Sequence, residues 1–135
     1  MSEAPPIPAG QIGRSPARLE ARAKVTGTAE YIHNLRLPGM LYGRICRSAV
    51  AHGRICRIDR RAAEAIPGIE RVVTGEDIRA VIAKPYYGPA FHDQPILALG
   101  KVRYVGEPVA VALAADPRVA EAGAQAILVE YEPLP

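Results

Sequence analysis

Hydrophobic positions in this chain fall in short bursts separated by Pro, Gly and charged residues, a pattern of many short elements rather than long helices. The clearest burst is residues 109–115 (VAVALAA), an unbroken apolar run that reads as a buried strand, although its alanines leave a helix open. Residues 69–74 (IERVVT), 101–105 (KVRYV) and 127–131 (ILVEY) read as further strands. Helix signals lie between them. Asp59 stands where it caps a short helix over residues 60–66, which Pro67-Gly68 ends. Thr74-Gly75-Glu76-Asp77 has the form of a capping box, with Asp in place of Glu or Gln, and predicts a helix to about residue 82. Asp116-Pro117 joins a capping carboxylate to a Pro at the first helical position. Val119, Ala122 and Ala126, with Ala120 and Leu128, give that helix an apolar face.

The pentapeptide Gly43-Arg44-Ile45-Cys46-Arg47 recurs as Gly53-Arg54-Ile55-Cys56-Arg57. Two such strands joined by a short linker predict a β-hairpin with a longer loop. Centred on Val50, the hairpin sets Cys46 opposite Arg54 and Cys56 only diagonal to it, so no disulfide is expected. Residues 24–32 (KVTGTAEYI) form a β-like patch broken by Gly27, and Leu37-Pro38-Gly39-Met40 has the residues of a type II turn. Residues 1–18, rich in Pro and Gly and without periodicity, read as a flexible N-terminal arm, and residues 19–135 as one domain. Residues 84–100, with three Pro, two Gly and His92, form a long loop of the kind found at interfaces and functional sites. Short strands alternating with two or three short helices place the chain in the α+β or mixed α/β class.

Composition narrows the function. Hydrophobic residues make up 49% and charged residues 23% of 135, which is globular and excludes a disordered chain, while 5% aromatics imply an aliphatic core. The start lacks a basic segment followed by an apolar core, and no run approaches a membrane span, so the expected location is cytoplasmic. All but three of the 17 basic residues are Arg, and Arg44, Arg47, Arg54, Arg57, Arg60 and Arg61 crowd one stretch. Such a patch fits a small basic nucleic-acid-binding module, the alternative reading, although a net charge of +3 is a small electrostatic footprint. Arg is also enriched at protein interfaces.

No active site assembles from the residues. Glu76-Asp77 sits in a helix's first turn, where carboxylates cap. His33, His52 and His92 have no metal-ligand spacing to one another or to a cysteine. Ser48 and His52 imitate half of a nucleophile–base pair without the strained elbow or an orienting acid. Neither GxGxxG nor GxxxxGK[ST] occurs. Cys46 and Cys56, although flanked by Arg, read as structural, and Gly106-Glu107-Pro108 reads as a turn.

The ordered set of segments is more specific than any one of them. Residues 24–31 (KVTGTAEY), 37–42 (LPGMLY), Arg47-Ser48, Ala51-His52, Arg54-Ile55, Ile58-Asp59, 66–69 (IPGI), 73–78 (VTGEDI), 102–110 (VRYVGEPVA) and 129–135 (VEYEPLP) follow in this order. Together they resemble the N-terminal α/β hammerhead domain of the molybdenum-binding large subunit of the xanthine dehydrogenase and aldehyde oxidase family, over about residues 12–135. The chain departs from that pattern at His33-Asn34, where an acidic residue is common, and at Ser48-Ala49, where Ser-Pro is common. The resemblance implies an α/β hammerhead fold and a parent oxidoreductase, a molybdenum hydroxylase. That enzyme would hydroxylate a heterocycle or aldehyde carbon with oxygen from water at a molybdopterin centre, and pass electrons through 2Fe-2S clusters to FAD. The family's pterin-binding segments and catalytic glutamate belong to larger domains downstream of Pro135. Gly10-Gln11 lies on the wrong side of the hammerhead for a pterin contact, and Glu107 is not the catalytic glutamate. The implied role is therefore a non-catalytic structural domain, inactive alone. It carries no catalytic, cofactor-binding or metal residue, and its partners are the molybdopterin-binding domains and the iron–sulfur and FAD subunits. The arginine-rich segment and residues 84–100 are the expected partner-facing surfaces.

Overall fold

The computed structural model describes residues 13, 15 and 17–135. Most of the arm expected over residues 1–18, including Gly10-Gln11, lies outside the described residues. The chain divides into two compact units, Met1–Leu37 and Pro38–Pro135.

In the first unit, α1 (Ala21–Val25) is followed by a 3-10 turn at Ile32–Asn34. The β-like patch over residues 24–32 forms no strand. The reason is local: the Thr26 hydroxyl donates to the Arg22 carbonyl (2.8 Å), and the Thr28 and Ala29 amides both donate to the Ala23 carbonyl. These donors finish a helix end and are not available to a sheet. Gly27, at φ +72°, supplies the left-handed residue that this stop needs.

The second unit holds β1 (Tyr42–Arg47), β2 (Gly53–Asp59), α2 (Arg61–Glu64), β3 (Ile69–Thr74), α3 (Gly75–Val81), β4 (Tyr86–Tyr87), β5 (Gln94–Pro95), β6 (Lys101–Val102), β7 (Pro108–Ala114), α4 (Pro117–Ala126) and β8 (Leu128–Pro133). Two three-stranded sheets form, in the orders β1-β7-β3 and β6-β2-β8, together with a small β4-β5 ladder; every pairing is antiparallel. The α+β expectation holds, and the run at residues 109–115 is the central strand of the first sheet, not a helix.

The hairpin does not form. The repeated pentapeptides lie in different sheets, β1 beside β7 and β2 between β6 and β8. Charge explains part of the choice. β8 places Glu132 opposite Arg54 and Glu130 opposite Arg57, whereas a hairpin of two GRICR strands would set no acid against any Arg. Ser48, 3% exposed, makes the crossing between sheets. Its amide donates to the Glu107 carbonyl and its carbonyl accepts from the Gly106 amide, while its hydroxyl donates to the Val50 carbonyl (2.8 Å).

The helix starts behave as their residues dictate. Thr74 and Asp77 complete a reciprocal capping box, and Asp116 accepts from the Arg118 and Val119 amides. The helix expected over residues 60–66 is a single turn whose N-cap is Arg60 and not Asp59, although Asp59, one position upstream, still accepts from the Arg61 amide. Strand β6 stops at Val102, short of the expected residue 105, because the Arg103 amide is taken by the Glu107 carboxylate and the chain turns.

Helix α4 packs through Ala120, Gly123 and Ala124, whereas Ala122 is exposed and Leu128 is 64% exposed in β8. The expected face holds at Ala120 and at Ala126, which packs on the core, and fails at Ala122 and Leu128; Gly123, with no side chain to register as apolar, lies close against Ile69 and Ala112. The main core joins Ala63, Val72, Ala110, Ala112, Ala124 and Ile127. A smaller cluster of Ala98, Val102 and Val109 is flanked by Ile55, Ile58, Val129 and Tyr131.

Candidate functional site

Strand β7 alternates small and large residues: Ala110, Ala112 and Ala114 are fully buried, Ala110 and Ala112 in the core with α4, while Val111 and Leu113 point to the opposite side of the sheet. On that opposite side the sheet is only partly covered. Ile45 of β1, Val73 of β3, Val111 and Leu113 line a groove of about 680 Å³, rimmed by Tyr87, Ile96 and Tyr104. Ile45 is 41%, Tyr87 53% and Tyr104 54% exposed. The large-small alternation in residues 109–114 was the sequence signal for this second apolar face, and a reading of the run as simply buried passes over it.

The arginine cluster is mostly neutralised at home. Arg44 pairs with Glu121 (3.3 Å), Arg54 with Glu132 (3.2 Å), Arg57 with Asp59 (3.1 Å), Arg60 with Glu64 (3.1 Å) and Asp77 (3.0 Å), and Arg61 with Asp59. Hydrogen bonds from Arg61 hold the Asp59 carboxyl well below the usual carboxylate range. Arg47 differs. It is the member of the six that meets no carboxylate among the described residues; its guanidinium donates to the Gly106 carbonyl (2.9 Å) at the end of the apolar groove. A surface paired in this way does not present the free cationic stripe that a phosphate backbone needs.

The structure keeps the other candidates apart. The Ser48 hydroxyl is committed to Val50, and His52 Nδ1 donates to the Pro135 carbonyl (2.7 Å), so the two make no nucleophile–base pair. His92 is exposed in the loop. Cys46 and Cys56 are both free thiols on strands of different sheets, and burial pushes the Cys46 thiol up. Glu107, 3% exposed, accepts from the Arg103 amide and pairs with the Arg103 guanidinium (2.8 Å), a clasp that fixes the turn before β7. The buried Tyr131 hydroxyl makes no well-aligned hydrogen bond among the described residues; burial pushes its phenol up, and the nearby Ser48 hydroxyl offsets part of that rise.

Among the described residues, no group of three or more His, Cys, Asp or Glu side chains is placed to hold a metal ion. The large groove has apolar walls and a single charge. A second groove of about 440 Å³, between β2 and the start of α3, contains Arg57, Arg60, Glu76 and Asp77, but its basic groups are already paired. No helix among the described residues is long and apolar enough to cross a membrane.

Residues 26–135 match the family model described as aldehyde oxidase and xanthine dehydrogenase, a/b hammerhead domain. The chain is 41% identical over 133 residues to the 6-hydroxypseudooxynicotine dehydrogenase complex subunit gamma of Paenarthrobacter nicotinovorans, covering 92% of this chain and 17% of that protein. It is 36% identical over 123 residues to the nicotinate dehydrogenase large molybdopterin subunit of Eubacterium barkeri, covering 91% and 28%. Among solved structures, reconstituted CO dehydrogenase from Oligotropha carboxidovorans superposes with a TM-score of 0.84 at 36% identity, covering 91% of this chain and 15% of that one. Quinoline 2-oxidoreductase from Pseudomonas putida 86 gives 0.78 at 42%, covering 91% and 16%. The chain therefore spans a minor part of the length of each of these relatives.

Proposed function

Because this chain belongs to the aldehyde oxidase and xanthine dehydrogenase family, as its α/β hammerhead domain, we propose that it is a non-catalytic structural module of a molybdenum hydroxylase. In that reading the domain builds the shell of a molybdenum-binding subunit and chemistry resides in the neighbouring polypeptide. The holoenzyme hydroxylates a heterocycle or aldehyde carbon with oxygen from water and hands electrons to iron–sulfur and flavin centres, in the cytoplasm. Molybdopterin supplies that chemistry where it is bound, and no residue described here is assigned to it. The observation that carries the reading is the pairing of a close structural match over 91% of this chain with a share of only 15% of the matched one. The committed hydrogen bonds of Ser48, His52 and Glu107 support it, since these three polar groups are spent on the fold.

The test is direct. The purified chain is expected to unfold cooperatively, to contain no molybdenum by elemental analysis after expression with the cofactor supply intact, and to oxidise neither aldehydes nor N-heterocycles. Stoichiometric molybdenum or turnover by this chain alone refutes the reading.

A further inference from the structure

The apolar face of the β1-β7-β3 sheet is the largest feature that folding of the second unit leaves unexplained. One side of that sheet is sealed by α4 and α2, with Ala110 and Ala112 in the core. The other exposes Ile45 and leaves Val73, Val111 and Leu113 half-buried around the groove, and Ile96, Tyr87 and Tyr104 at its rim are 38% exposed or more. Contiguous apolar surface of this kind marks an interaction site. Charge indicates what kind. Five of the six clustered arginines have carboxylate partners at home, and among the described residues the sixth, Arg47, stands at this groove with only a backbone carbonyl. Among the described residues, the groove lining contains no carboxylate.

We propose that this face is covered, in the assembled enzyme, by an apolar segment of the molybdenum-binding polypeptide lying outside the domain, and that the segment brings a carboxylate to Arg47. The inference rests on the structural-module reading above and deepens it by naming the surface. Two arguments favour this occupant. The relatives carry more than two-thirds of their length outside the match. Polypeptide joined to the domain also meets the groove at the millimolar-scale effective concentration of an intramolecular contact, far above that of a separate protein. Arg47 then forms a charge-assisted pair at the edge of an apolar seat, where water is excluded and the pair is stronger than on an open surface.

Site-specific alkylation tests it. Ile45→Cys and Leu113→Cys report from the groove, and Leu128→Cys from β8 outside it; each is read by mass spectrometry in this chain alone and after the rest of the molybdenum-binding subunit is supplied as a second polypeptide. All three positions are expected to label in the chain alone. In the complex, labelling falls steeply at 45 and 113 and is unchanged at 128. Arg47→Ala weakens the complex by about tenfold, the loss of one charge-assisted contact, whereas Arg54→Ala, whose partner Glu132 is within the domain, does not. If Leu113→Cys fails to fold, Ile45 carries the test. A complex that forms with both groove positions still labelled overturns the inference and leaves the structural-module reading intact. Protection that grows with the concentration of this chain alone places a second copy in the groove and overturns it as well. If no complex forms, and the remaining polypeptide matures without this domain, the structural-module reading itself fails.

Discussion

Thr74 and Asp77 show how much one pair of side chains decides. The Asp77 carboxylate accepts from the Thr74 amide (2.8 Å) and the Thr74 hydroxyl (2.7 Å) and meets Arg60 at 3.0 Å. These hydrogen bonds, above all that from the Thr74 hydroxyl, hold the Asp77 carboxyl below its ordinary value, with the Arg60 charge adding to them. A carboxyl lowered in the folded state binds its proton more readily once unfolded. The stability it contributes is therefore fully present above the unfolded value of about 3.9 and drains away as pH falls through the lower folded value. Thr74→Ala is expected to cost about 1 kcal/mol at neutral pH. Asp77→Asn should flatten the acid limb. Urea midpoints for the three proteins at neutral pH and near pH 3 check both, and equal acid sensitivity in Asp77→Asn and the parent chain contradicts the assignment. Glu107 is committed by geometry alone: its buried carboxylate meets an amide and a guanidinium of its own turn, with nothing left to offer a substrate.

At the scale of elements, local signals were legible and distant ones were not. The box at residues 74–77 and the Asp116-Pro117 start are complete within a few residues, so the sequence displays them whole. The repeated GRICR strands are also visible, but their partners are not, because register is decided by acids and apolar rows more than fifty residues away. The two-sided character of β7 was written in its large-small alternation and became readable only when α4 was seen to occupy the alanine side. Helix α4 makes the point at Gly123. A Cβ there would stand 2.9 Å from the Ala112 Cβ and 2.4 Å from the Ile69 Cδ1. The Ile69 methyl can swing away, but the Ala112 Cβ moves only with the central strand. Gly123→Ala gains about 1 kcal/mol of helix propensity and loses about 1–3 kcal/mol to overpacking. The expected outcome is a net loss of stability by chemical denaturation, in contrast to Gln125→Ala on the exposed face of the same helix. A stabilised Gly123→Ala would mean that helix and sheet sit farther apart than described.

Over the whole molecule, the two sheets divide the work. One is closed by α2 and α4 on a floor of alanines, and its other surface stays open. The second holds its charges in cross-strand pairs along β2 and β8. A face left open beside charges settled at home is the profile of a part made to be built upon, in agreement with a chain that matches a small fraction of much larger relatives. The strand order has one more consequence. β1 and β3 pair only with β7, and β2 pairs with β6 and β8, so no strand of either main sheet laid down before residue 100 finds its partner until the final third of the chain has left the ribosome. Sheet assembly waits until residues 101–133 have been made, and closure of such long loops makes it slow. A nascent chain halted before β7 has its first and third strands waiting with nothing between them, which puts the decisive moment of this domain's folding at its last few dozen residues.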